Sequence, residues 1–369
     1  MSTSLPLYPY KLTYGLRRYN FGGRRIPNLY PVKNTPEGII AETWEITEHH
    51  NDVSAVKNGP LAGRDLRSLV KELGPALVGE RAAKATPGKF PLLIKFLDAQ
   101  ETLGMQVHPD DDYAAANEPG ENGKTEAWYV LEADPGAILY CGNVSGLTRE
   151  DMQRAIDEGN PERCMETVEV KAGDTIYVPS GRMHAIGKGI LVYEAQQSCD
   201  LTYVPFGRPN DDEATVKTRI RKFVEATKLE DLGEQRIPPV TVKHGANART
   251  WLLANRYFAM ERWNLGEAWS GHLDGEKFLA FTTTKGAGRV SGGGEEVAFE
   301  AGESFLVPAG LSDFTIAPEP ACELLVSYVP DIVADVIAPL RELGVAPLAI
   351  AALGGPGAAN DVAPLIDEA

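Results

Sequence analysis

Cysteine is scarce: four in 369 residues, at Cys141, Cys164, Cys199 and Cys322, with no C-x-x-C pair. That spacing excludes a disulfide framework and a cysteine-built zinc site. Long apolar runs are missing, so no stretch is of a length to span a bilayer. The opening "MSTSLPLYPYKLTYGL" lacks the basic and apolar blocks of a signal peptide, which makes the cytoplasm the expected location. Positive charge is also short, with 36 Lys and Arg against 52 Asp and Glu, net −16. A field of that sign repels nucleic acid and anionic membranes, so neither is expected as a partner. An anionic substrate would need a local cluster of Arg or Lys to overcome it.

What the chain does have is a succession of short strand-like segments rich in Val, Ile, Phe, Tyr and Trp, separated by Gly, Pro, Asn and Asp. They include "AETWEIT", "PLLIKFL", "EAWYVL", "GAILYCG", "METVEV", "DTIYVP" and "ILVYEAQ". Such spacing predicts a mainly β protein of barrels or sandwiches, not βαβ units. Three helices are expected among them. "GRDLRSLVKELG" carries the stripe Leu66, Leu69, Val70 and Leu73, "LTREDMQRAIDEGN" opens on a Thr148 cap, and "DDEATVKTRIRKFVEAT" carries Val216, Ile220, Phe223 and Val224. After residue 330 the composition shifts to Ala, Gly and Pro; residues 331–343 read as a possible helix and "GGPGAAN" as a tail.

The chain repeats itself. "AGDTIYVPSGRMH" (172–184) aligns without a gap to "AGESFLVPAGLSD" (301–313), and "EAWYVLEADPGA" lies over "EKFLAFTTTKGA". Gly-Asp/Glu, a strand, then Val-Pro-x-Gly resembles the turn of double-stranded β-helix (cupin) domains. Two copies imply two such barrels. The expected divisions are residues 1–240, a metal-binding half with helical insertions; 241–330, a metal-free barrel; and 331–369, an extension.

The stretch "GMQVHPDDDYAAANEPGENGKTEAWYVL" carries the chemistry. Gln106 and His108 stand at i and i+2, on one face of an extended segment. A cupin barrel draws metal ligands from such a pair, from a carboxylate several strand positions later and from a His after the Gly-Asp turn. Gln106, His108, Glu126 and His184 fit that plan, while the second copy has Asp313 in the His register and no equivalent pair. Imidazole nitrogen and carboxylate oxygen suit zinc, and an amide oxygen is a weaker neutral ligand. One zinc ion per chain is the expectation. His49, His50, His244 and His272 read as ordinary core or surface histidines, and Asp110 to Asp112 as a solvent-facing turn.

These segments, with "PLLIKFLDAQETLGMQVHPDDDYA", "GKTEAWYVLEADPGAILYCG", "AGDTIYVPSGRMHAIGKGILVYEAQQSCDLTY" and "NGPLAGRDLRSLV", resemble the type I mannose-6-phosphate isomerase family in its shorter bacterial form. The likeness runs over roughly residues 7–329. It implies zinc at Gln106, His108, Glu126 and His184. It also places Lys124 of "GKTE" and Glu194 of "YEAQQ" in a sugar site, and interconversion of mannose 6-phosphate and fructose 6-phosphate as the reaction. Moving a proton between C1 and C2 through a cis-enediol needs a base near carbon, for which Glu194 is the candidate. It also needs an electrophile at the oxygens and an anion site for phosphate; Lys124 is a candidate donor.

One position departs from the family pattern: its catalytic Arg falls on Val204 in "DLTYVPFGRPND", and the loop is shorter. Arg208 is the expected replacement. Arg24 and Arg25, in a "GGRR" that resembles the family's N-terminal loop, are expected to help bind a small-molecule sugar phosphate. Two other readings stay open: an isomerase of free sugars, and a metal-bearing sugar-binding cupin without turnover. Composition is silent on oligomeric state.

Overall fold

Alternation along three neighbouring strands sets the architecture. In Leu92–Ala99, Ile190–Gln197 and Glu126–Ala133, successive side chains turn to opposite faces. Leu92, Ile94, Phe96, Leu191, Tyr193, Ala195, Ala127 and Tyr129 enter one large core. Leu97, Ala99, Ile190, Val192, Trp128 and Val130 enter a second, smaller one. Both faces are covered, which is why these segments read as nearly continuous apolar runs. A computed structural model describes residues 5–208, 210–230, 233 and 235–368.

The three strands are the middle of a six-stranded antiparallel sheet. Its order is Gly15–Arg17, Glu42–Ile46, Leu92–Ala99, Ile190–Gln197, Glu126–Ala133 and Thr175–Val178. A three-stranded sheet of Met165–Glu169, Ile138–Asn143 and His184–Ile186 lies against its inner face, and Leu139, Cys141 and Ile186 share the smaller core with Trp128. The helices Arg149–Asp157 and Glu213–Ala226 cover the segment Met105 to Val107 through Met152, Ala155, Phe223 and Ala226. Thr148 caps the first of them in a reciprocal capping box with Asp151.

The second half forms a nine-stranded antiparallel sheet built around the long strands Leu279–Gly292 and Asp313–Tyr328. The internal repeat is visible in the backbone. Gly173 and Gly302, the glycines of the two A-G-D/E turns, stand at φ +95° and +93°, a region that favours glycine. Sequence placed a boundary at 240/241, yet the strand Tyr10–Lys11 pairs with Ser304–Val307 in the sheet of the second half. Asp313 is exposed and pairs with His272.

Two local expectations change. Asp111 and Asp112 are exposed as expected, but the run opens a helix and not a bare turn: Asp110 caps the helix Asp111–Asn117, and Asp111 accepts hydrogen bonds from Gly123 N–H and the Gln197 amide. Residues 331–343 are helical as expected, whereas the tail reading of "GGPGAAN" changes, since Gly354 and Gly355 are buried. A π-helical segment Ile332–Ile337 runs into the helix Ala338–Glu342, followed by Pro347–Ala352. Ile332, Val336, Ile337, Leu340, Ile350 and Leu353 join the large core.

Leu340 is fully buried in that core. Leu340→Ala should lower unfolding free energy by about 2–5 kcal/mol, the usual result of deleting a buried leucine side chain. Urea unfolding followed by tryptophan fluorescence measures it; a midpoint equal to that of the unaltered chain would mean the extension is only loosely attached.

Candidate functional site

The smaller-core face of the six-stranded sheet carries more than apolar side chains. Glu194 stands opposite Lys95 on one neighbouring strand and opposite Trp128 on the other, and Gln196 stands opposite Glu126. Period two therefore delivers Lys95, Glu126 and Glu194 to one side. His184 reaches the same place from its own short strand. The segment bearing Gln106 is tied to it by reciprocal backbone hydrogen bonds, Gln106 N–H to His184 O and His184 N–H to Gln106 O, both 2.9 Å.

His108, Glu126 and His184 converge, all buried, with candidate ligand atoms within 4.8 Å of one another. His108 Nε2 lies 3.2 Å from Glu126 Oε1, His184 Nε2 lies 3.7 Å from Glu126 Oε2, and Gln106 Nε2 lies 3.1 Å from His184 Nε2. Two ligands about 2.0–2.2 Å from a tetrahedral ion stand roughly 3.4 Å apart, so these spacings suit zinc. The tautomers suit it as well. His108 Nδ1–H donates to Leu201 O at 2.7 Å and His184 Nδ1–H to Arg182 O at 2.9 Å, which leaves both Nε2 lone pairs facing the cluster. Glu126 Oε2 is buried without a hydrogen-bond partner. The Gln106 amide, turned end for end, presents its oxygen.

The electrostatics agree. Burial pushes His184 down to about 3, with His108 adding to the effect, and burial also lowers His108, helped by Lys124. Both rings are therefore neutral, the form that ligates. Burial alone would raise Glu126, but the Lys124 ammonium beside it outweighs burial and holds the carboxyl well below its usual range. Lys124 Nζ lies 2.7 Å from Glu126 Oε1 and donates to His108 Nε2 at 3.1 Å.

A cavity of about 1110 Å³ opens beside this cluster, lined by Gln106, Glu126, Lys124, Lys95, Glu194 and Arg208 among others. Burial and the charge of Glu126 push Glu194 up to about 7, against the pull of Lys95. Lys95 Nζ sits 3.3 Å from Glu194 and 3.9 Å from Glu42; burial would lower it, and those carboxylates instead hold it charged. Sequence reading passed over Lys95, Glu42 and Asp200, all of which line the cavity. A lysine inside "PLLIKFL" was the available signal.

Arg24 and Arg25 are elsewhere. The Arg24 guanidinium donates to Pro36 O and Gly38 O, and Arg25 pairs with Asp134 at 2.8 Å; neither lines the cavity. Their loop contributes Tyr19, Asn20 and Phe21 instead. Val204 is buried and also absent from the lining, whereas Arg208 is exposed and part of it. Another grouping, His49, His50 and Glu121, differs from the first in its tautomer. His49 Nδ1 accepts the Asn51 N–H, so the ring proton sits on Nε2, facing Glu121 at 3.5 Å. That Nε2–H faces the carboxylate as a donor, which is not a ligand's geometry.

Residues 10–133 match the family model "Phosphomannose isomerase type I, catalytic domain", and residues 248–329 match "Mannose-6-phosphate isomerase, cupin domain". The probable mannose-6-phosphate isomerase GmuF of Bacillus subtilis (strain 168) is 34% identical over 310 residues, covering 84% of this chain and 95% of that one. The chain belongs to the type I mannose-6-phosphate isomerase family. Among solved structures, the mannose 6-phosphate isomerase from Bacillus subtilis superposes with a TM-score of 0.75 at 29% identity, covering 86% of this chain and 99% of that one. A zinc-bound holo mannose 6-phosphate isomerase shares the fold at 18% identity, TM-score 0.67, over 87% of this chain and 99% of that one.

Within this family member the four ligand candidates are not equal. Gln106→Ala should weaken zinc less than His108→Ala or Glu126→Ala, because a neutral amide oxygen adds less than imidazole or carboxylate. Titrating each variant with a chromophoric chelator ranks them; Gln106→Ala losing metal first would contradict the order.

Proposed function

We propose that the chain is a zinc-dependent aldose–ketose isomerase that interconverts mannose 6-phosphate and fructose 6-phosphate through a cis-enediol. The observation that carries this reading is the buried His108–Glu126–His184 cluster, which meets through Glu126 a cavity that Glu194 and Lys95 also line. Family membership and the two named relatives support it. In this reading each half is a double-stranded β-helix, the first, within residues 1–240, carrying the metal and the second, 241–330, without one.

Gln106, His108, Glu126 and His184 would hold the zinc. Bound there, it supplies a positive charge that polarises the sugar's carbonyl and favours the developing enediolate oxygens. Glu194 takes the proton from one of the two adjacent carbons and returns it to the other. Its burial suits the task, since a carboxylate stripped of water is a stronger base than an exposed one. Lys124 and Lys95, each paired with a buried carboxylate, donate to sugar oxygens. Arg208, exposed at the cavity and without an ion pair among the described residues, meets the phosphate.

Glu194→Gln should lower kcat by about 10²–10⁴, the usual share of a general base, with zinc content unchanged. The reaction needs the ionised carboxylate, so the rate falls as pH drops through its pKa. Zinc beside Glu126 offsets that carboxylate's repulsion, so the acid limb lies below the value of about 7 seen for the protein groups alone. Product formation from mannose 6-phosphate, measured by coupling fructose 6-phosphate to a dehydrogenase assay, checks both points. A Glu194→Gln enzyme of normal rate would remove the base assignment, and equal rates on mannose and mannose 6-phosphate would favour the free-sugar isomerase.

A further inference from the structure

The helix Glu213–Ala226 has two faces, and the packing of the protein explains only one. Phe223 and Ala226, with Ile220 and Val224 partly covered, rest on the core beneath. The adjoining stripe, Thr215, Thr218, Arg219 and Lys222, is spaced i, i+3, i+4, i+7 and lines the cavity with Arg208. We infer that this stripe is an anion subsite of the cavity, built to take the phosphomonoester dianion of the substrate through Arg208, Arg219 and Lys222.

The cations are held in place without being used up. Arg219 Nε and Nη2 grip the two oxygens of Asp211 at 2.6 and 3.3 Å. A guanidinium has five N–H donors, so three remain. Lys222 Nζ pairs with Glu118, which also accepts the Tyr203 hydroxyl, and the ammonium stands 5.6 Å over the Tyr203 ring; two of its donors remain. Asp211 and Glu118 thus act as struts that keep two flexible side chains on the cavity wall. Asp212, also at the wall, is committed as the helix cap, accepting the Thr215 N–H at 2.7 Å. That bond also occupies the helix terminus, so the anion is received on the helix flank. A dianion entering a chain of net −16 needs such a focus, and this stripe with Arg208 brings three cations to one wall.

The inference rests on the isomerase reading for its substrate but not for its test. Arg219→Ala and Lys222→Ala should each raise KM for mannose 6-phosphate about ten- to a hundredfold with kcat changed less than threefold, the pattern of a contact made equally in ground and transition states. The inhibition constant for inorganic phosphate should rise by the same factor, and zinc content should stay constant. Arg219→Lys should recover part of the loss. Unchanged KM and unchanged phosphate inhibition in both variants would overturn the subsite. If the unaltered enzyme does not turn over mannose 6-phosphate, the isomerase reading fails. Calorimetric titration with inorganic phosphate then decides the subsite: binding lost in the double variant supports it, and binding retained, or absent from the unaltered chain, overturns it.

Discussion

A carboxylate removed from water has to be matched by cations or donors close by, and Glu126 is such a carboxylate. The first half of the molecule is arranged around that constraint. Lys124, two residues earlier on the same chain, supplies the nearest charge; His108 and His184 arrive from separate segments with their Nδ1 protons already spent on backbone carbonyls. Register then brings Glu194 and Lys95 to the same face, where burial, reinforced by repulsion from Glu126, raises the proton affinity of Glu194. One buried charge thereby sets both where a cation belongs and which neighbour is basic.

The sheet that carries these groups can hold them because its other face is dry. Tyr193, Phe96 and Tyr129 pack into the large core behind the site, so the strands have no freedom to slip by one residue without exchanging a charged face for an apolar one. Polar geometry on one side is enforced by packing on the other. The convergence of Gln106, His108, Glu126 and His184 was legible in sequence for the same reason: i, i+2 spacing on one extended segment and a His placed by an internal repeat are backbone facts before they are chemical ones. Lys95 was not legible, because a lone lysine in an apolar strand does not say which of two buried faces it joins. Arg24 and Arg25 show the converse. Their charge suggested an anion site, but charge carries no direction, and the carbonyls of Pro36 and Gly38 and the carboxylate of Asp134 claim them. The Asp-rich run after His108 was misread for want of its partners, since Asp110 is a helix cap only once the alanines behind it have coiled. The helix after 330 was legible, but the packing of the extension was not, because its burial depends on a surface that no local pattern describes.

The pairing of Tyr10–Lys11 with Ser304–Val307 joins the beginning of the described chain to the nine-stranded sheet of the second half. A chain emerging from its N-terminus makes its first strand long before the neighbour of that strand exists, and closing a loop that spans most of the sequence is slow. Tyr8 and Tyr10, both fully buried in the finished core, wait in solvent until the last third of the chain has been made. The His108–Glu126–His184 cluster is complete in sequence by His184, well before that closure. The order of assembly is therefore inverted relative to the order of synthesis: the half that bears the cluster can gather these side chains early, but the edge on which it begins is sealed late.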